Sequence, residues 1–379
     1  MATPLVSIVI PVYNAAPWLT DFLDDMRGQT IDDYELIFVD DASTDDTPQM
    51  LAELSGSPRT RILTHKHNRH AGVSRNDGMA MATGKYLLFL DADDRFDAHL
   101  VERASARAEA TNADVVLFNA DDFTEDPERS VPNALFLVSE FVPTAQPFDW
   151  TSASERLFQI CSPEPWTKLF LRSYIQGLRL QFQDMQNSND LYFTLSALSS
   201  ASRIATCPDV LVHHRVGSAG GIQARRRQQP LAFVDALDAL LERLRSVGSY
   251  AALEKSFANL ALFHCIYNSD APADWPSVFE HFGVTSHAKE DFFLRGDFDR
   301  CVEMLMSSLS DDTKRVPPQG TTRFWRDAAL VCMRWATQAR QDASDARREV
   351  DLTKSSMSFR LGHALTAPAR ALRSQGRGD

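Results

Sequence analysis

Along the first third of the chain, short apolar runs alternate with segments of helical period, and two of the strand-like runs end in carboxylates. Residues 5–12 form an apolar, β-branched run, residues 18–26 carry apolar side chains at helical spacing, and residues 35–39 are apolar again and lead into Asp40-Asp41. Ser43 or Thr47 can cap a helix with Pro48 in its first turn. The alternation continues with strand at 61–64, helix at 72–82, strand at 85–90, helix at 100–110 and strand at 114–119. Strand–helix alternation through short links predicts an α/β fold with a mainly parallel sheet covered on both faces. In such sheets ligands sit at the carboxyl ends of the strands. Those ends hold Asp40-Asp41 and Asp91 to Asp94.

The rest of the chain reads differently. Residues 121–150 have the composition of a long polar loop, helices are expected at 151–160 and 188–200, and residues 204–212 resemble a last strand. From about residue 230 the pattern is helical, at 231–244, 253–267 and 299–309, with one long Ala-striped helix expected at 326–353. At roughly 150 residues per domain, 379 residues suit two or three domains. We divide them at 1–220, 221–320 and 321–379.

Charge and cysteine content exclude several classes. Asp and Glu number 51 against 39 Lys and Arg, a net charge of −12, and an acidic chain is a poor general binder of nucleic acid. The five cysteines, at 161, 207, 265, 301 and 332, form no CxxC pair, so neither a disulfide framework nor a zinc knuckle is indicated. The cysteine pattern fits a reducing, cytoplasmic compartment. No run of about 18 apolar residues suggests a spanning helix. The first apolar run is short and lacks a basic leader, and reads as a strand, not a signal peptide.

Four segments carry chemistry. Leu88-Phe89-Leu90-Asp91-Ala92-Asp93-Asp94 delivers a D-x-D at a strand end, suited to a divalent cation that is also held by substrate phosphates. The structural alternative is that Asp93 or Asp94 caps the following helix. Phe38-Val39-Asp40-Asp41-Ala42-Ser43-Thr44-Asp45 is a second carboxylate pair, with the same alternative. Ile10-Pro11-Val12-Tyr13-Asn14 places an aromatic where it can stack on a base or close the sheet edge. Gly72-Val73-Ser74-Arg75-Asn76 sets a cation near a helix start, fit for a diphosphate or base. The alternative for Arg75 is an ion pair with a strand-end aspartate.

In this order the four segments resemble glycosyltransferase family 2, the GT-A nucleotide-sugar transferases, over about residues 5–215. The resemblance implies a Rossmann-like catalytic domain, followed here by a helical C-terminal region. It implies that Pro11, Tyr13 and Asp41 contact the nucleoside, Asp41 reading a uracil N–H. It also implies that Arg75 lies near the base or diphosphate, Asp91 holds ribose or sugar, and Asp93 ligates Mn²⁺ or Mg²⁺. Asp40, Asn76 and Asp94 stand beside these as further candidates. His70 departs from the Gly of many relatives. Ser188-Asn189-Asp190-Leu191-Tyr192-Phe193 resembles the Glu-Asp segment that carries the family's catalytic base, with Asn189 in the Glu position. This makes Asp190 the candidate base, and its alternative is an interaction with the helix dipole.

Trp166, in Pro165-Trp166-Thr167-Lys168-Leu169-Phe170, is a candidate sugar platform or a core residue. His213 and His214 are candidates to reach the metal or diphosphate, or else structural. His65, His67 and His70 read as loop histidines. The resemblance implies an inverting, metal-dependent transfer from a nucleotide-sugar, a UDP-sugar by family habit, to a cell-surface glycan or lipid-linked acceptor. The competing readings are a nucleotidyltransferase, a D-x-D phosphatase and a non-catalytic sugar-nucleotide-binding scaffold. No G-x-x-x-x-G-K-[ST] or G-x-G-x-x-G occurs, which disfavours P-loop and dinucleotide enzymes. The helices after 220 suit the acceptor side or a homodimer contact. The tail carries Lys354, Arg360, Arg370, Arg373 and Arg377 beside Phe359, Leu361, Leu365 and Leu372, with no acid between Lys354 and Arg377. That pattern suits peripheral contact with the anionic inner face of a plasma membrane.

Overall fold

The structure is a computed structural model that describes residues 3–133, 135–216, 231–267 and 281–282. All of them fall within one compact unit, Met1–Phe292. The helices expected at 299–309 and 326–353 and the basic tail lie outside the described residues.

The sheet begins as the sequence pattern demands. Strands β1 (Val6–Val12), β2 (Tyr34–Asp40) and β4 (Tyr86–Phe89) are nearly continuous runs of buried residues. Runs without polar alternation belong in a sheet covered on both faces. β3 (Thr60–Thr64) completes a parallel half in the order β3-β2-β1-β4. The other half is mixed. β8 (Lys168–Leu171) is antiparallel to β4 and to β6 (Val115–Phe123), β6 is parallel to β9 (Ile204–Arg215), and β9 is antiparallel to β5 (Arg95–Phe96). The two-residue strand β7 (Val131–Pro132) pairs with the end of β6. The sheet is therefore less parallel than the sequence alternation suggests. β8, β5 and β7 are strands of two to four residues, too short to show a periodicity.

Helices α1 (Ala16–Arg27), α2 (Thr47–Glu53), α3 (His70–Met81) and α4 (Leu100–Thr111) fill the links between strands. α1 buries Leu19, Phe22, Leu23 and Met26, and Phe22 meets Phe38 and Phe96 edge-on with ring centroids 5.8 and 5.4 Å apart. Burying each such phenyl ring contributes about 1.5–3 kcal/mol. Neither Ser43 nor Thr47 caps α2. The Thr47 hydroxyl accepts from Ala15 N at 2.8 Å and that of Ser43 from Asn14 N at 2.9 Å. The two hydroxyls tie the tip of β1 to the loop after β2.

Two other expectations change. Residues 151–160 form two 3₁₀ turns, Trp150–Ala153 and Leu157–Gln159, in place of a helix. The polar stretch from 121 is not all loop, because β6 runs through Phe123. Short helices α5 (Arg172–Leu178) and α6 (Asn189–Leu198) follow β8. Helix α7 (Ala232–Ser246) turns Leu237, Leu240, Leu241 and Leu244 inward, and α8 (Tyr250–Tyr267) is pinned where Ser256 Oγ accepts from Phe158 N at 2.9 Å.

Gly72 sets how closely α6 approaches α3. A Cβ at this position would stand 2.3 Å from Gln183 O and 3.0 Å from Asn189 Cβ. Gly72→Ala is expected to destabilise the fold by about 1–3 kcal/mol, because backbone cannot yield as a flexible side chain does. Urea denaturation measures it, and an unchanged midpoint would contradict the close contact.

Candidate active site

The tips of β1, β2 and β4 and the start of α6 form the rim where the candidate residues gather. Four non-glycine residues on this rim have positive φ: Asn14 at 52°, Ala42 at 63°, His70 at 67° and Ser188 at 57°. Such conformations cost energy and cluster where surrounding structure and function impose them. His70 adopts a left-handed backbone that glycine takes up without cost, in keeping with the Gly that the resemblance implies at this position.

The first group surrounds Asp41. Pro11 lies within β1, and Tyr13, one residue past the strand, is 39% exposed. Asp40 is buried, with Oδ1 accepting from Ser43 N at 3.0 Å and Oδ2 without a partner among the described residues. Asp41 is also buried. Its Oδ1 accepts from Arg69 N at 2.8 Å and lies 2.7 Å from His65 Nδ1. His65 Nε2 lies 3.0 Å from Asp77 Oδ2, to which Arg69 Nη1 also donates, at 3.1 Å. His65 lies in the loop after β3, as expected, but its side chain is buried there. Its side chain is 6% exposed and bridges two carboxylates. Nothing in its sequence neighbourhood shows this, since Asp41 and Asp77 reach it from a strand tip and a helix.

The second group centres on Arg75, which is buried on α3. Its Nη2 donates to Asp91 Oδ1 at 2.6 Å and its Nη1 to Asn189 Oδ1 at 3.0 Å. The guanidinium also lies 5.6 Å from the Phe182 ring centroid. Arg75 therefore makes the ion pair with a strand-end aspartate and bridges it to the residue beside Asp190. Asn76 exchanges two 2.8 Å hydrogen bonds with the backbone of Phe182, securing the loop before α6. Phe182 in turn stacks on Phe193 of α6 with centroids 3.9 Å apart. The Asp190 carboxyl is pushed up to about 6, chiefly by burial and then by Glu164, with the Arg75 charge opposing.

The third group is acidic. Burial raises the Asp93 carboxyl, and the neighbouring Asp91 charge adds to it. Asp94 is held well above the carboxylate range by burial and by Asp93. Asp94 Oδ1 accepts from Arg215 N at 2.8 Å, while Oδ2 is buried without a partner among the described residues. Neither Asp93 nor Asp94 caps α4, whose N-terminus has no side-chain cap. Crowded carboxyls with an orphaned buried oxygen suit a hard divalent cation. Among the described residues no group of three or more His, Cys, Asp or Glu side chains is arranged to hold a metal.

The two candidate histidines are engaged by carboxylates that the sequence reading placed in a loop. On adjacent strands Asp121 faces His213 and Asp122 faces His214, with Nδ1 to Oδ1 distances of 2.7 and 2.9 Å. Burial works against the charged His214, but its bond to Asp122 and the Asp94 charge raise it to about 9. Trp166 is 4% exposed, stacked on His214 at 5.0 Å and 17° and edge-on to Phe136. Its face is covered, so Trp166 is a core residue and not a sugar platform. Glu164, absent from the sequence reading, has Oε2 buried and unpartnered among the described residues.

A parallel β3-β2-β1-β4 half-sheet with an acidic triplet beyond β4 is a GT-A-like arrangement. Residues 7–175, which build most of this rim, match the sequence model of glycosyl transferase family 2, and relatives named as glycosyltransferases support reading the chain as a family 2 glycosyltransferase. That match favours a glycosyltransferase over the phosphatase and nucleotidyltransferase readings.

Among its relatives is EpsH of Bacillus subtilis, itself named only provisionally as a glycosyltransferase. It is 26% identical over 287 residues, which cover 74% of this chain and 81% of EpsH. The poly(ribitol-phosphate) β-N-acetylglucosaminyltransferase TarS of Staphylococcus aureus is 26% identical over 54% of this chain, but the match spans only 34% of TarS. The crystal structure of TarS residues 1–349 with UDP-GlcNAc superposes with a TM-score of 0.60 at 19% identity. That superposition covers 89% of this chain and 92% of the other, and shows a shared fold.

Proposed function

We propose that this protein moves a sugar from a UDP-sugar to an acceptor hydroxyl of a cell-surface glycan or lipid-linked molecule, by a single displacement that inverts the anomeric carbon. The observation that carries this is the Arg75 bridge. It joins Asp91, on the D-x-D side, to Asn189, beside the only candidate base we assign, at 2.6 and 3.0 Å. The UDP-GlcNAc held by the structurally similar TarS fragment supports a UDP-sugar donor.

In this reading Asp93, with Asp91 and Asp94 beside it, would hold Mn²⁺ or Mg²⁺. Such a cation stabilises charge on a departing diphosphate. Asp190 removes the acceptor proton during attack on the anomeric carbon. A carboxyl near 6 is ionised at neutral pH, yet it is more basic than an ordinary aspartate. Arg75 holds Asp91 in place and opposes full neutralisation of Asp190. Tyr13 and Asp41 receive the nucleobase.

A panel of UDP-, GDP- and dTDP-sugars with Mn²⁺ tests the proposal. UDP release from one UDP-sugar, accelerated by acceptor, is the expected result. Release of inorganic phosphate alone would exclude it. The tail at 354–379 is proposed to bring the enzyme to an anionic membrane, and the helices after 220 remain proposed for the acceptor side or a homodimer. Among the described residues no helix is long and apolar enough to cross a membrane. Deletion of residues 354–379 is expected to abolish flotation with phosphatidylserine vesicles, since each basic residue near such a surface contributes about 1 kcal/mol. Equal flotation with and without the tail would end that part of the proposal.

A further inference from the structure

The buried cluster under Asp41 limits which nucleobase that carboxylate can read. A carboxylate offers about four acceptor positions, two on each oxygen. Oδ1 of Asp41 spends both of its own inside the protein, on the Arg69 N–H at 2.8 Å and on His65 Nδ1 at 2.7 Å. A carboxylate oxygen only accepts, so Nδ1 is the donor in that contact. No hydrogen bond from a described residue reaches Oδ2, which is left for a ligand.

We propose that His65, anchored by Asp77, is a specificity-determining positioning residue. By occupying Oδ1 of Asp41 it leaves a single oxygen for the base and confines the donor to nucleotides with one imide N–H, the uracil type. This rests on the reading above that Asp41 meets the nucleobase. Guanine presents two adjacent N–H donors, N1–H and the N2 amino group, which pair best with both oxygens of one carboxylate. With Oδ1 saturated, one of those donors is left unpaired in the site, and an unpaired buried donor is strongly penalised. A uracil or thymine N3–H requires only Oδ2.

The anchoring is geometric. His65 is the first residue beyond β3, and its N–H donates to Asp40 O at 2.8 Å. Its ring is fixed at the far end by Asp77 Oδ2 at 3.0 Å, and Arg69 Nη1 holds the same Asp77 oxygen at 3.1 Å. The ring therefore cannot turn from Oδ1 without losing both nitrogen contacts.

Calorimetric titration of the full chain with UDP and with GDP, in the same Mn²⁺ buffer, measures the ratio of the two Kd values. His65→Leu removes the donor and frees Oδ1, and is expected to lower the preference for UDP over GDP at least about tenfold. His65→Asn, which keeps an amide N–H near the Nδ1 position, is expected to retain most of it. Asp77→Ala, at a partly exposed side chain, removes the acceptor that holds His65 Nε2 and is expected to lower the ratio at least about threefold. It decides the matter if His65→Leu does not fold. A ratio unchanged in the folded His65→Leu or in Asp77→Ala overturns the proposal, because a purely structural role would weaken both ligands alike. Asp41→Ala separates the two levels: if it leaves UDP affinity intact, the reading of Asp41 as the base contact fails, not the role of His65 alone.

Discussion

Asp190→Asn is expected to lower kcat by about 10²–10⁴-fold, the usual contribution of a positioned general base, while leaving donor affinity nearly unchanged. The substitution keeps the shape of the side chain at the start of α6 and removes only its basicity. The pH profile provides a second readout. With the carboxyl pushed up to about 6, Asp190 is protonated below that pH and cannot take a proton. The wild-type rate is therefore expected to fall about tenfold per unit below pH 6 and to level off above it, and the residual rate of the variant to lose this limb. Burial is the main cause of the raised value, so removing the charge costs no stability, and the melting temperature is expected to stay equal or rise. Near-normal transfer by a folded Asp190→Asn would end its assignment as the base.

Asp93→Asn is expected to reduce Mn²⁺-stimulated transfer by about 10²–10³-fold, comparable to removing one preorganised contact to developing charge. The same change relieves crowding, because Asp93 sits half-buried beside the Asp91 charge. Thermal stability without metal is therefore expected to hold or improve as activity collapses. That split is characteristic of a group kept for function against its own stability. Mn²⁺ titration followed by tryptophan fluorescence or calorimetry measures the binding part directly. Unaltered Mn²⁺ dependence in this variant would move the cation elsewhere on the rim.

Much of the fold was readable from residue order because its strands are long and two-sided. β1, β2, β4 and the helices between them announce themselves by apolar runs and helical spacing, and their boundaries agree with the structure within about two residues. β8, as short as β4, was not readable as a strand, because Lys168 and Arg172 cut its apolar run to three residues, whereas β4 lies in the five-residue apolar run 86–90. The stretch at 151–160 contains apolar residues at suggestive spacing but forms two 3₁₀ turns, which tie into α8 through Ser256.

The site was legible to a similar degree. Asp91, Asp93 and Asp41 stood out as candidates because they lie at the carboxyl ends of strands, where ligands of such sheets sit. His65 and the Asp121–Asp122 pair did not. Each acts through partners 12 to 92 positions away in sequence, and no local pattern encodes such a distance. Trp166 shows the converse: a residue type fit for sugar stacking is taken by His214 and the core.

Residue order alone determined which elements form and which acidic side chains leave the sheet at its carboxyl edge, because hydrophobic period and chain direction are local properties. Only the tertiary structure decided what those side chains touch. The Arg75 bridge to Asp91 and Asn189 and the His65 clamp on Asp41 exist because packed helices bring distant residues within hydrogen-bond reach. The cost of leaving buried charge unpaired then fixes each partner.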